Sequence, residues 1–355
     1  MAGGGEPRVL LDGTPLVGAR TGVGRYTACL IDELTSTVDV SLIGLTLRGW
    51  RELRRKRPET ATVTGIPLVA SALHSAWARV EFPPIELLAR GQDLVHGTNF
   101  VLPPSCRGRG VVTVHDLDFL NHAEQLPRRG REFPTLVRRS VRRAAAVCTP
   151  TRAVAESVIE RFDVPEQTVH VTPLGVDRAW FAASPPDSTL RERYRLPSEY
   201  LVFVGGDVPR KGLSTVYSAL DRELPPLVHV GPATTSAPTN VVRTGHVPDE
   251  VLRRIVRGAS ALVLPSRDEG FGLTALEALA CGIPLVCSDI PALREVTDGQ
   301  AVMVPYGDAD ALRTGLRLAL TTPPTTRSQR RAHAATYTWR ACAESTLTAY
   351  HHALA

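Results

Sequence analysis

The chain has 355 residues, 43% of them hydrophobic and 5% aromatic, with a formal net charge of +5. That length exceeds what one core ordinarily serves and predicts two domains. No apolar run approaches the about 20 residues that span a bilayer, and "MAGGGEPR" lacks a secretory apolar core, so a soluble cytoplasmic protein is expected.

The six cysteines (29, 106, 148, 281, 287 and 342) are scattered without C-x-x-C or other metal-type spacing. They read as small buried hydrophobes, and no metal site is predicted. The basic charge is almost wholly arginine, with lysine only at positions 56 and 211. Lys56 sits in a basic run, so Lys211 is the one that stands out.

In chain order, "RVLLDG" (8–13) predicts a first strand, and "GARTGVGRYT" then places Gly18, Gly22 and Gly24 in a loop before a helix beginning near Arg25. Exposed amides at a helix start can hold an anion. A dinucleotide fingerprint would need a third glycine where Thr27 stands. "VSLIGLTL" predicts the next strand, followed by the basic segment 48–57. The stretch 61–84 is apolar enough for a lipid or aglycone but spells no substrate.

"DLVHGT" and "GVVTVHDL" predict strands that end at His96 and His115. A histidine at such an edge can donate to a sugar hydroxyl or phosphate and titrate near neutrality. A second basic segment, 128–143, precedes the strands "AAVCTPT" and "VHVTPLG". Both basic segments are expected to be solvated helix faces, with a peripheral contact to the inner membrane face left open. Nucleic acid is not expected, because no recognition module accompanies the charge. At 176–190 periodicity is lost while Pro, Ser and Asp accumulate, which predicts a linker.

A second strand series follows: "YLVFVGG", "LVHVGP", "VVRTGH", "ALVLPS", "PLVCSD" and "AVMVPY". Arg210 and Lys211 follow the glycines of "FVGGDVPRKG", where two cations could clamp a diphosphate. In "RDEGFGLTALEALACGIPLVCSD", Glu269 falls in a loop and Glu277 within a helix that Gly282 ends. Both carboxylates would lie at the C-terminal edge of a parallel sheet, where open α/β sheets bind ligands. The closing "TWRACAESTLTAYHHALA" is helical in pattern.

Two successive series of this kind predict an α/β chain of two doubly wound, Rossmann-like domains. The expected boundaries are 1–177 for an acceptor domain, 178–190 for the linker, 191–335 for a nucleotide-sugar domain and 336–355 for the closing helix.

Together, "GVGRYT", "LVHGTNFVLPP", "VTVHDLDF", "VTPLGVD", "VGGDVPRKG", "TGHVPDEVL" and the segment from Arg267 to Asp289 resemble the signatures of glycosyltransferase family 4 over nearly the whole chain. The resemblance implies a GT-B architecture with two domains facing a central cleft. It implies retaining transfer of a hexose, mannose or glucose in type, from GDP-mannose or a UDP-sugar, without metal or cofactor. It also implies that the closing helix crosses back onto the first domain.

Residue by residue, the resemblance assigns His115, Glu269, Arg210 and Lys211 to catalysis. To the donor it assigns Arg210 and Lys211 on the diphosphate, Glu277 on the ribose, and Glu269 with the amides of Phe271, Gly272 and Leu273 on the transferred sugar and diphosphate; Gly22, Gly24, Gly205, Gly206, Val247, Gly270 and Thr274 are expected to complete the donor site. Weaker acceptor contacts fall to His96, Asn99, Arg25 and Tyr26. The sequence departs from the family at Gly206, where many members carry an arginine. The acceptor, whether sugar, lipid or natural-product aglycone, and the oligomeric state are left open.

Three rival readings stand beside this one: a sugar-nucleotide epimerase, a glycoside phosphorylase and a silent nucleotide-sugar binding protein. A phosphorylase would need a pyridoxal lysine, for which a chain with two lysines has few candidates.

Overall fold

The computed structural model describes residues 6–18, 21–44, 46–56, 61–64, 70–121 and 132–355. Parts of both basic segments, at 57 and 128–131, lie outside them. The chain divides into two compact units, Met1–Leu174 with Trp339–Ala355, and Gly175–Thr338.

The first unit holds a seven-stranded sheet: β1 (Arg8–Asp12), β2 (Asp39–Ile43), β3 (Thr62–Thr64), β4 (Leu94–Gly97), β5 (Gly110–Thr113), β6 (Ala146–Thr149) and β7 (Val169–Val171). Its order is β3-β2-β1-β4-β5-β6-β7, with every pairing parallel. The second holds β8 (Leu201–Val204), β9 (Leu227–Val230), β10 (Val241–Gly245), β11 (Ala261–Leu264), β12 (Leu285–Ser288) and β13 (Val302–Val304). Its order, β10-β9-β8-β11-β12-β13, is again all parallel.

Parallel strands are covered by helices on both faces and therefore read as unbroken apolar runs. β4, β5, β6, β9, β11 and β12 are buried at every position. In each sheet the order reverses beside its first strand, between β1 and β4 and between β8 and β11. Those reversals open crevices at the carboxyl ends of the strands, where such sheets take ligands.

The closing helix, Trp339–Leu354, belongs to the first unit. It buries Trp339, Cys342, Ala343, Thr346, Ala349, Tyr350 and Ala353, a stripe at helical spacing.

Two expectations need correction, and one strand was not expected. The segment 178–190 is not a free linker: it carries the helix Arg178–Phe181, whose Trp180 is buried, and the Phe181 carbonyl accepts from Arg331 Nη1 at 3.0 Å. Burying an indole outweighs the loop-like composition around it. The first helix begins at Gly22 rather than near Arg25, because Thr21 caps it by accepting from the Gly24 amide at 3.1 Å. Finally, β3 is an edge strand of three partly exposed residues, too short and polar to read from sequence.

The basic segments form the helices Leu47–Lys56 and Phe133–Arg143. Leu53 of the first and Leu136, Val137 and Val141 of the second enter the core, while Arg139 and Arg143 pair with Glu81 at 3.7 and 3.5 Å. Among the described residues no helix is long and apolar enough to cross a membrane.

Candidate active site

The crevice between β8 and β11 is built by two loops. After β8 the chain turns through Gly205 and Gly206 into a short 3-10 turn, Pro209–Lys211, and then the helix Leu213–Ala219. After β11 it runs through Arg267–Gly272 into the helix Leu273–Cys281. Gly212 lets the loops approach: its φ is +66°, and a Cβ there would overlap the Pro265 carbonyl oxygen. The Arg267 amide donates to the Arg210 carbonyl at 2.8 Å, and Arg210 Nη1 donates to the Asp268 carbonyl at 2.7 Å.

Lys211 and Glu269 meet in this frame. Lys211 Nζ lies 2.6 Å from Glu269 Oε1, and Arg210 Nη1 lies 3.7 Å from Glu269 Oε2. Burial opposes ionisation of Glu269, but the charges of Lys211 and Arg210 and the Lys211 hydrogen bond outweigh it. Its carboxyl is thereby held below the usual range.

Gly272, at φ +90°, turns the loop into the helix, and Gly282, at φ +75°, ends it. At that helix start the Ala275 and Leu276 amides donate to the Gly272 carbonyl at 2.8 and 3.2 Å, whereas those of Leu273 and Thr274 have no partner within the helix. Leu273 and Thr274 are partly exposed there, whereas Gly270 and Phe271 are buried, the Phe271 ring edge-on to Tyr337 at 5.7 Å. Glu277, the fifth residue of the helix, is only 5% exposed. Val247 follows β10 closely and is buried, so its side chain packs inside the unit.

In the first unit, His115 follows β5. It is buried against Tyr26 and Phe100, with ring centroids at 5.0 and 5.5 Å, and its Nε2 lies 2.8 Å from the Thr98 carbonyl. Burial pushes its pKa down to about 4, against a smaller upward pull from Thr98. The expected neutral-range titration is therefore corrected: the ring is neutral, and its one N–H serves Thr98. Nδ1 is left as an acceptor, so His115 can take a hydrogen bond from a hydroxyl but has no second N–H to give.

His96 and Tyr26, expected among the weaker acceptor contacts, are assigned instead to the fold. Both are wholly buried. His96 Nδ1 lies 2.7 Å from the Tyr350 hydroxyl, and Thr113 Oγ1 bridges His96 Nε2 at 2.8 Å and the Tyr26 hydroxyl at 2.9 Å. This chain of bonds fixes the closing helix to the sheet. Asn99 and Arg25 are partly exposed. Gly22 is exposed, but Gly24 is buried against the Pro15 carbonyl and its amide is already capped, which removes it from the anion site read from the sequence.

Residues 20–180 match the family model described as Glycosyltransferase Family 4, and residues 198–322 match the one described as Glycosyl transferases group 1. The O-antigen chain mannosyltransferase B of Escherichia coli is 28% identical over 281 residues, covering 72% of this chain and 74% of that protein.

The chain is a glycosyltransferase of the family 4 type.

The glycosyltransferase is also 31% identical over 255 residues to the MMP alpha-(1->4)-mannosyltransferase of Mycolicibacterium hassiacum, covering 65% of this chain and 59% of that protein. It thus spans about three fifths of that relative's length. Its fold is GT-B. Sucrose-phosphate synthase from Thermosynechococcus elongatus shares that fold with a TM-score of 0.72 over 98% of both chains, at 19% identity.

Proposed function

We propose that the glycosyltransferase moves a hexose from a nucleoside-diphosphate sugar to an acceptor hydroxyl, with retention of anomeric configuration and without a metal ion. The observation that carries this reading is the contact of Lys211 and Arg210 with Glu269 at the β8/β11 crevice, beside the amides of a helix start.

Cleaving a sugar–phosphate bond leaves negative charge on the departing diphosphate and positive charge on the sugar ring. Lys211, Arg210 and the amides of Phe271, Gly272 and Leu273 stabilise the first. Glu269 accepts hydrogen bonds from hydroxyls of the transferred sugar, and Glu277 accepts from the vicinal ribose hydroxyls. The acceptor hydroxyl attacks on the face that the diphosphate leaves, and the departing phosphate oxygen takes its proton. His115 accepts a hydrogen bond from a sugar hydroxyl through Nδ1. A donor bearing mannose is favoured by two relatives, both mannosyltransferases.

Incubating the full chain with GDP-mannose, UDP-glucose and related donors, without acceptor, tests the reading. Slow hydrolysis of one donor to nucleoside diphosphate and free hexose supports it. A C2-inverted sugar would point to an epimerase instead, and no turnover of any donor would contradict it.

A further inference from the structure

Gly206 leaves the end of β8 without the arginine that the family resemblance leads one to expect there. The residue beneath it is His229 on β9, wholly buried and edge-on to Phe203 at 5.2 Å. Its Nε2 lies 2.9 Å from the Gly205 carbonyl oxygen. A carbonyl only accepts, so Nε2 carries the hydrogen. Gly231 completes the seat, because a Cβ at that position would overlap the same oxygen. The Gly205 carbonyl is thereby held toward β9.

A trans peptide sets its carbonyl and the following N–H on opposite sides, and the Gly205–Gly206 bond is trans. The Gly206 amide consequently points away from His229 and Gly231. It has no hydrogen-bond partner among the described residues, and Gly206 is partly exposed. Gly205 itself sits at φ +151°, a conformation open to glycine. A role in packing alone does not account for the histidine: its Nδ1 is buried without a partner, a cost that a leucine would avoid.

We propose that His229 is a positioning residue for the donor: it orients the Gly205–Gly206 peptide so that the Gly206 amide hydrogen-bonds the diphosphate where relatives use an arginine. The inference rests on the nucleoside-diphosphate donor proposed above. His229 touches no substrate, and its effect is confined to the phosphate end of the ligand.

The test is calorimetric titration of the full chain with nucleoside diphosphates and their parent nucleosides, in both the guanosine and uridine series, alongside thermal unfolding. His229→Leu is expected to keep or raise the unfolding temperature and lose about tenfold in diphosphate affinity, the worth of one hydrogen bond to a charged group, with nucleoside affinity unaltered. His229→Gln, whose side-chain NH2 stands near the place of Nε2, restores most of the loss. If His229→Leu unfolds, Gly231→Ala provides the second variant and must show the same selective loss, because its Cβ displaces the same carbonyl. Wild-type diphosphate affinity in these variants, or equal losses for nucleoside and diphosphate, overturns the inference. A wild-type chain that binds no nucleoside diphosphate overturns the donor reading itself, and this inference with it.

Discussion

Lys211 Nζ rests 2.6 Å from Glu269 Oε1, joining two loops 58 residues apart in the chain. The pair is substantially buried, with side chains 18% and 11% exposed. Without a donor, each group thus satisfies the other. In the proposed reaction a diphosphate draws Lys211 away from Glu269, which frees the carboxylate for the sugar hydroxyls. Glu269→Gln is therefore expected to raise affinity for free nucleoside diphosphate, since Lys211 loses its competing partner, while turnover falls. Lys211→Ala is expected to weaken the same ligand by roughly 1.5–3 kcal/mol, the worth of a hydrogen bond between charged groups. Calorimetry beside steady-state kinetics checks both; a fall in affinity in Glu269→Gln would contradict the exchange.

The role proposed for Glu277 is uniform binding through ribose. Glu277→Gln is expected to weaken nucleoside, nucleoside diphosphate and sugar nucleotide by similar factors, with turnover at saturation little changed. A loss confined to turnover would move Glu277 from the ribose to the reacting centre.

Acid should weaken the first unit. Burial pushes His96 down to about 3 and His115 down to about 4. The unfolded chain takes up a proton at each near the ordinary value of about 6.5. Both native histidines stay neutral there, so stability is present at neutral pH and falls as pH drops from about 6.5 toward about 4. At pH of about 5 each costs about 2 kcal/mol. Thermal unfolding at the two pH values, in the parent chain and in His115→Asn, is expected to show a shallower acid loss in the variant. For the same reason kcat/KM should show no inflection near 6.5 from His115, and His115→Ala is expected to lower turnover while leaving nucleoside diphosphate affinity intact.

Gly212→Ala tests the seam between the two donor loops. Its φ of +66° and the overlap with the Pro265 carbonyl both oppose a side chain, so a loss of about 1–3 kcal/mol is expected. Donor affinity should fall with it, because Lys211 moves with the turn. Unchanged unfolding temperature would show that the loops have slack.

Most of the sheet framework was legible because buried parallel strands are continuous apolar runs. β3 escaped for the opposite reason: its Thr-Val-Thr at the sheet edge carries almost no apolar signal. Strand ends alone set Arg210 and Lys211 after β8 and Glu269 and Glu277 after β11, but the direct Lys211–Glu269 contact depends on how two loops turn after their strands. His96 misled because strand-end position does not reveal partners. Its hydroxyl partner, Tyr350, lies 254 residues away on the closing helix. In the sequence His229 is only part of a strand, since the carbonyl it holds is visible only once β8 and β9 are paired.

The anomer first released from the donor tests the account most directly. The full chain is mixed with its donor in excess chelator and followed by proton NMR through the earliest part of acceptor-free hydrolysis. The α-hexose is expected to appear first, at a rate that the chelator does not alter. Release of the β-hexose first, or turnover abolished by chelator and restored by manganese, would contradict it.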